Sequence, residues 1–93
     1  MRIISQDGRA DFPYEQFVVA IDATNEETIL AFPVSVTDDV HFNLAEYSTK
    51  EKAEKAMEML RTKYGNYKQV RSSEYYFAFD YPKVFQFPQD SEV

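Results

Sequence analysis

Apolar and polar side chains alternate with a period of two along several stretches of this chain. In residues 14–23, Phe17, Val19 and Ile21 fall on one face of an extended backbone and Gln16 and Val18 on the other, the pattern of a half-buried strand. Asn25-Glu26-Glu27 supplies a turn. Residues 28–36 then return, with Leu30, Phe32, Val34 and Val36 opposed to Ile29, Ala31, Pro33 and Ser35. Pro33 lacks an amide hydrogen, which places this strand at a sheet edge or bulges it at that point. After the break at Thr37-Asp38-Asp39, residues 40–47 set Val40, Phe42, Leu44 and Glu46 against His41, Asn43, Ala45 and Tyr47. Residues 74–81 repeat the alternation with Tyr75, Phe77, Phe79 and Tyr81 on one side. Two shorter apolar runs, 2–5 and 84–87, complete the extended segments. The first ends at Gln6-Asp7-Gly8, where Asp-Gly signals a tight two-residue hairpin.

One stretch changes period. Ala53, Ala56, Met57, Leu60 and Tyr64 recur at spacings of three and four and so share one face of a helix. Ser48 and Glu51 stand at the spacing of a reciprocal capping box, and Gly65 follows where a left-handed terminator is favoured, which predicts a helix over about 49–64. Glu51 precedes Lys55 by four residues, the favourable order for an exposed ion pair. These elements predict an α+β fold: a mainly antiparallel sheet of about five to six strands with the helix packed on one face. Residues 1–88 form one domain, and 89–93 are a flexible polar tail.

Composition supports folding: 44% of the 93 residues are hydrophobic and two are glycine, too apolar for a disordered chain. The absence of cysteine removes disulfides, thiolate metal sites and cysteine nucleophiles, and fits a reducing cytoplasm. No stretch approaches the roughly 18 apolar residues of a membrane span, and the N-terminal segment lacks the apolar core of a secretion signal. A soluble, unexported protein is therefore expected. The net charge of -6 is unevenly spread. Residues 1–47 hold nine acids against Arg2 and Arg9, whereas residues 48–64 hold three acids and five bases. A negative field repels phosphates, so direct nucleic-acid binding is disfavoured and a basic protein surface is the fitting partner.

Candidate chemistry is sparse. His41 is the sole histidine, so a histidine metal site or a nucleophile and base pair would need distant carboxylates. Glu26-Glu27 and Asp38-Asp39 sit in turns, where carboxylates favour solvent. Neither Asp7-Gly8 nor Asp38-Asp39 has the alternating acids and distal glutamate of a calcium loop, and two isolated glycines cannot build a phosphate cradle. The run YYFAFDY at 75–81 invites comparison with base-stacking strands, but Ser73 and Glu74 stand where such strands carry a basic residue and glycine. No catalytic residue, cofactor site or metal site is assigned. The residues set aside for partner binding are Asp22, Glu26, Glu27, Asp38 and Asp39.

MRIISQDG (Met1 to Gly8), PYE (Pro13 to Glu15), AEYSTKEKAEKAMEMLRTKY (Ala45 to Tyr64) and FQFPQDSEV (Phe85 to Val93) together resemble a family of small prophage-encoded proteins of Gram-positive bacteria. The resemblance covers about half the chain. It implies a phage origin and a setting in the bacterial cytoplasm, and it brings no catalytic residues. The resulting expectation is a non-enzymatic interaction module whose acidic sheet surface docks on a host or phage protein. Two rivals are an anti-defence inhibitor of the anti-CRISPR kind, which mimics nucleic acid against a basic host protein, and a self-assembling homodimeric accessory protein.

Overall fold

The computed structural model describes residues 1–35, 40–71 and 84–93. The chain runs β1 (Arg2–Ile4), β2 (Asp11–Pro13), a 3-10 turn (Tyr14–Gln16), β3 (Phe17–Ile21), β4 (Thr28–Pro33), β5 (Phe42–Glu46), α1 (Lys50–Arg71), β6 (Val84–Gln86) and a second 3-10 turn (Asp90–Glu92). It is an α+β protein. The described strands do not form one sheet, however. They divide into two sheets of three, ordered β2-β1-β6 and β3-β4-β5. Only the second is wholly antiparallel, because β6 lies parallel to β1. The expected strand over 74–81 lies outside the described residues.

The division has a local cause. Strand β1 is three residues long and is paired on both sides, by β2 and by β6, so it has no edge left for the second sheet. On the other side of the junction β5 is bulged. Ile29 pairs with Ala45 and Leu30 with Asn43, which leaves Leu44 as the extra residue. A bulge releases backbone groups from the ladder and bends the strand. Here the Leu44 carbonyl accepts from the Gln6 amide at 2.8 Å, and both Leu44 and Ala45 are buried. The strict alternation expected for residues 40–47 therefore fails at its centre. The irregularity is not at Pro33, which is the last residue of β4 opposite Phe17, and β4 is the middle strand of its sheet.

Gln6 uses all its polar groups at the junction, two of them to reach the second sheet and two to hold the segment that follows β6. Its amide meets Leu44, its Oε1 accepts from the Glu46 amide (3.1 Å), its Nε2 donates to the Pro88 carbonyl (3.2 Å), and its own carbonyl accepts from Gln89 Nε2 (2.6 Å). The hairpin holding it is wider than the two-residue turn expected. Ile4 pairs with Asp11, and the intervening loop is closed by Ser5, whose amide donates to the Ala10 carbonyl and whose carbonyl accepts from the Gly8 amide. Gly8 sits at φ 75, where a side chain would be strained.

Helix α1 buries the predicted stripe. Ala53, Ala56 and Leu60 are fully enclosed, Met57 nearly so, and Tyr64 packs at the edge of the core. They meet Ile29 and Ala31 of β4, Ile3 of β1, and Phe85 and Phe87 at the C-terminal end. The two alanines give this face little bulk, which suits close packing against the sheets. Aromatic pairs extend the junction: Phe12 of the first sheet meets Phe17 and Phe42 of the second at 5.0 and 5.5 Å, and Tyr14 meets Tyr64 of the helix edge-on at 4.6 Å.

Both predicted helix ends are displaced. Thr49, not Ser48, caps the first turn by accepting from the Lys52 amide at 3.2 Å. The Ser48 amide and hydroxyl are instead bound by the Asp90 carboxylate at 2.7 and 3.1 Å, a partner 42 positions away that local capping rules cannot see. At the other end the helix continues through Gly65 to Arg71. A glycine costs a helix interior about 1 kcal/mol without requiring a stop, and no proline follows until Pro82. The expected Glu51–Lys55 pair does not form; the helix pairs through Lys50 with Glu26 and through Lys52 with Asp90.

Residues 89–93, read as a tail, turn back on the body. The Gln89 amide is bound by the Glu92 carboxylate at 2.6 Å, and Lys52 Nζ donates to both the carbonyl and the carboxylate of Asp90. Just before them, the buried Tyr47 hydroxyl donates to the Pro88 carbonyl at 2.8 Å. Burial pushes the Tyr47 phenol well above the usual tyrosine range, with the charges of Asp90 and Glu92 adding to the effect.

Candidate functional site

Three of the five acidic residues singled out from the sequence, Asp22, Glu26 and Glu27, gather at one end of the β3-β4-β5 sheet, on the loop that joins β3 to β4. This loop is held by its own polar side chains. Asp22 Oδ1 accepts from the Thr24 amide (2.9 Å) and hydroxyl (2.8 Å), and Asn25 Oδ1 accepts from the Glu27 amide (3.2 Å). Such short-range acceptors are why aspartate and asparagine favour turns. The backbone closes the loop, the Asp22 amide donating to Thr28 and the Thr28 amide to Asn25. The two bonds from Thr24, the amide first, hold the Asp22 carboxyl below the usual carboxylate range, so it remains charged in mildly acidic solution.

Glu26 and Glu27 point from this loop into solvent, but they are not equivalent. Glu26 meets Lys50 Nζ at 3.4 Å, and its hydrogen bond and charge raise the Lys50 pKa. That contact ties the loop to the start of α1 and offsets the Glu26 charge. Glu27 is exposed, and its carbonyl accepts from the Tyr47 amide at 2.9 Å. Asp38 and Asp39 lie outside the described residues.

Sequence reasoning missed Glu46, which alternation had placed on a face of β5 with Leu44. Thr28 pairs with Glu46, so the exposed carboxylate at the end of β5 stands beside the loop that carries Glu27. The available signal was the hairpin pairing of β4 with β5, which sets the last residue of one strand against the first of the other. Glu46 also shares a cleft of about 350 Å³ with Asp7, at the sheet junction. Asp7 is held below the ordinary carboxylate range, first by the Ser5 hydroxyl and then by the Arg9 amide.

This end of the sheet therefore presents Asp22, Glu27 and Glu46 on fixed backbone, with Asp7 of the β1–β2 loop across a cleft from Glu46, an arrangement suited to meeting cationic side chains. His41 is exposed on β5's approach, its ring 5.7 Å from that of Phe32. Among the described residues, no three acidic or histidine side chains stand close enough to hold a metal ion. No helix among them is long and apolar enough to cross a membrane.

Fold and site together define an α+β protein whose three-stranded antiparallel sheet ends in an acidic rim. No protein-family model, curated protein or solved structure matches the chain.

Proposed function

We propose that this protein is a non-enzymatic interaction module of prophage type, working in the bacterial cytoplasm, whose acidic rim docks on a basic surface of a host or phage protein. The observation that carries the reading is the clustering of Asp22, Glu27 and Glu46 on a hydrogen-bonded loop and an adjoining strand end. Charges on fixed backbone lose little freedom on binding, and a one-signed patch speeds encounter with an oppositely charged partner. The sequence resemblance to prophage proteins supports the setting.

The test is capture from a Gram-positive bacterial lysate on immobilised protein. A basic partner should be retained at about 0.05 M salt and released by about 0.5 M, where screening is strong. The double variant Glu27→Lys, Glu46→Lys should lose it. Equal recovery on wild type and the double variant, or empty eluates at low salt, would remove this reading.

A further inference from the structure

A second surface lies between the outer side of α1 and strand β6, as an open groove of about 660 Å³. Its helical wall carries Lys55, Met59 and Lys63, spaced four residues apart and so on one stripe of the helix. All three are exposed, Met59 at 39%. Phe85 and Gln86 form the opposite wall, and Glu58 and Thr62 flank the stripe. Neither Lys55 nor Lys63 has an ion-pair partner among the described residues, whereas Lys50 and Lys52 both do. On a chain of net charge -6, this groove sets two lysines without ion-pair partners among the described residues on either side of an exposed thioether, with Glu58 the one acid among its lining residues.

We propose that the groove receives an extended segment of a partner protein with the pattern acid-x-apolar-x-acid. The two repeats match. Helix positions four apart are separated by about 6 Å along the axis, and alternate side chains of a strand by about 6.6 Å. An extended chain laid along the stripe therefore sets its first acid at Lys55, its apolar residue at Met59 and its second acid at Lys63. Glu58 disfavours a further acid at the centre and so sharpens the pattern. Strand β6 is the edge of its sheet among the described strands, and sheet edges are where extended peptides add. The charge preference is opposite to that of the acidic rim, so the two surfaces take different ligands and stand or fall separately.

The probe is a fluorescein-labelled ten-residue peptide with the core aspartate-threonine-leucine-threonine-aspartate, followed by fluorescence anisotropy. A matched peptide carries lysine in place of both aspartates. Wild-type protein should bind the acidic peptide at least about tenfold more tightly than the lysine peptide. The double variant Lys55→Glu, Lys63→Glu should reverse that order, and Met59→Asp should weaken the acidic peptide. Glu27→Lys, Glu46→Lys should leave it unchanged. The substituted side chains are exposed, and circular dichroism checks that each variant is folded. Three results would overturn the proposal: no binding of the acidic peptide up to about 1 mM, equal affinity for both peptides, or an unaltered preference in the lysine double variant. Sedimentation showing that wild type self-associates through Lys55 and Lys63 would also overturn it, since the occupant would then be a second copy.

Discussion

The two sheets are held together in two unlike places. On one side Leu60, Ala56 and Ala53 of the helix share one buried cluster with Ile29 and Ala31 of the second sheet and Ile3 and Phe85 of the first, an apolar contact made of surface and shape. On the other, Gln6, Tyr47, Pro88 and Asp90 form a polar seam of single hydrogen bonds between residues as far as 82 positions apart. The apolar contact is spread over many atoms, each replaceable in kind. In the seam each bond depends on one donor and one acceptor. The comparison predicts a steep loss of stability on charging the first region and a graded loss on trimming the second.

The largest effect is expected at Leu60, which has no exposed surface. Leu60→Asp places an unpaired carboxylate in the core and should cost at least about 3 kcal/mol. That is a large share of the roughly 5–15 kcal/mol available to a small domain. The control is one residue away: Met59→Asp, on the solvent side, should leave thermal unfolding nearly unchanged. If both variants melt together with wild type, the helix does not close the core in the way described.

Gln6→Leu tests the seam. The variant keeps the backbone bonds to Leu44 and Gln89 but loses the two side-chain bonds to Glu46 and Pro88. The Pro88 carbonyl still receives the Tyr47 hydroxyl, and Glu46 is exposed to water, so neither group is stranded. Two ordinary hydrogen bonds then give an expected loss of about 1–2 kcal/mol by urea denaturation. A variant as stable as wild type would show that the seam follows the apolar packing and adds nothing to it. A loss equal to that of Leu60→Asp would erase the distinction between the two regions.

The same contrast explains what could be read from the sequence. The buried helix face was legible because a single repeat places Ala53, Ala56, Met57 and Leu60 together, and the β3–β4 hairpin because two apolar runs flank Asn25-Glu26-Glu27, although the alternation expected in β4 fails, Thr28 to Ala31 being buried in succession. The split into two sheets was not, since it depends on the extra residue at Leu44 and on the pairing of β1 with β6 across nearly the whole chain. Nor was the true cap. Ser48 looks complete beside Glu51, and nothing near it announces Asp90. For the candidate site, three of the five acids chosen from the sequence, Asp22, Glu26 and Glu27, come together because they share one loop. Strand pairing then adds Glu46 and gives Glu26 a lysine, two facts that composition cannot supply.

The smallest and most specific effect is expected at Asp90. Its carboxylate accepts from the Ser48 amide, from Lys52 Nζ and from the Ser48 hydroxyl, and these bonds hold its pKa below the usual range. A carboxyl whose folded pKa is lowered contributes stability above its unfolded pKa, about 3.9, and loses it as pH falls through the folded value. Asp90→Asn keeps an oxygen for the Ser48 amide and removes the charge facing Lys52. At pH 7 the variant should unfold at slightly lower urea than wild type. Below about pH 4 the difference should narrow, because wild-type Asp90 is then itself losing its charge, while every other carboxyl titrates in both proteins alike. A difference that stays constant from neutral to strongly acidic pH would mean that the charge of Asp90 contributes nothing to the seam and that its hydrogen-bond geometry alone holds the C-terminal turn to the helix.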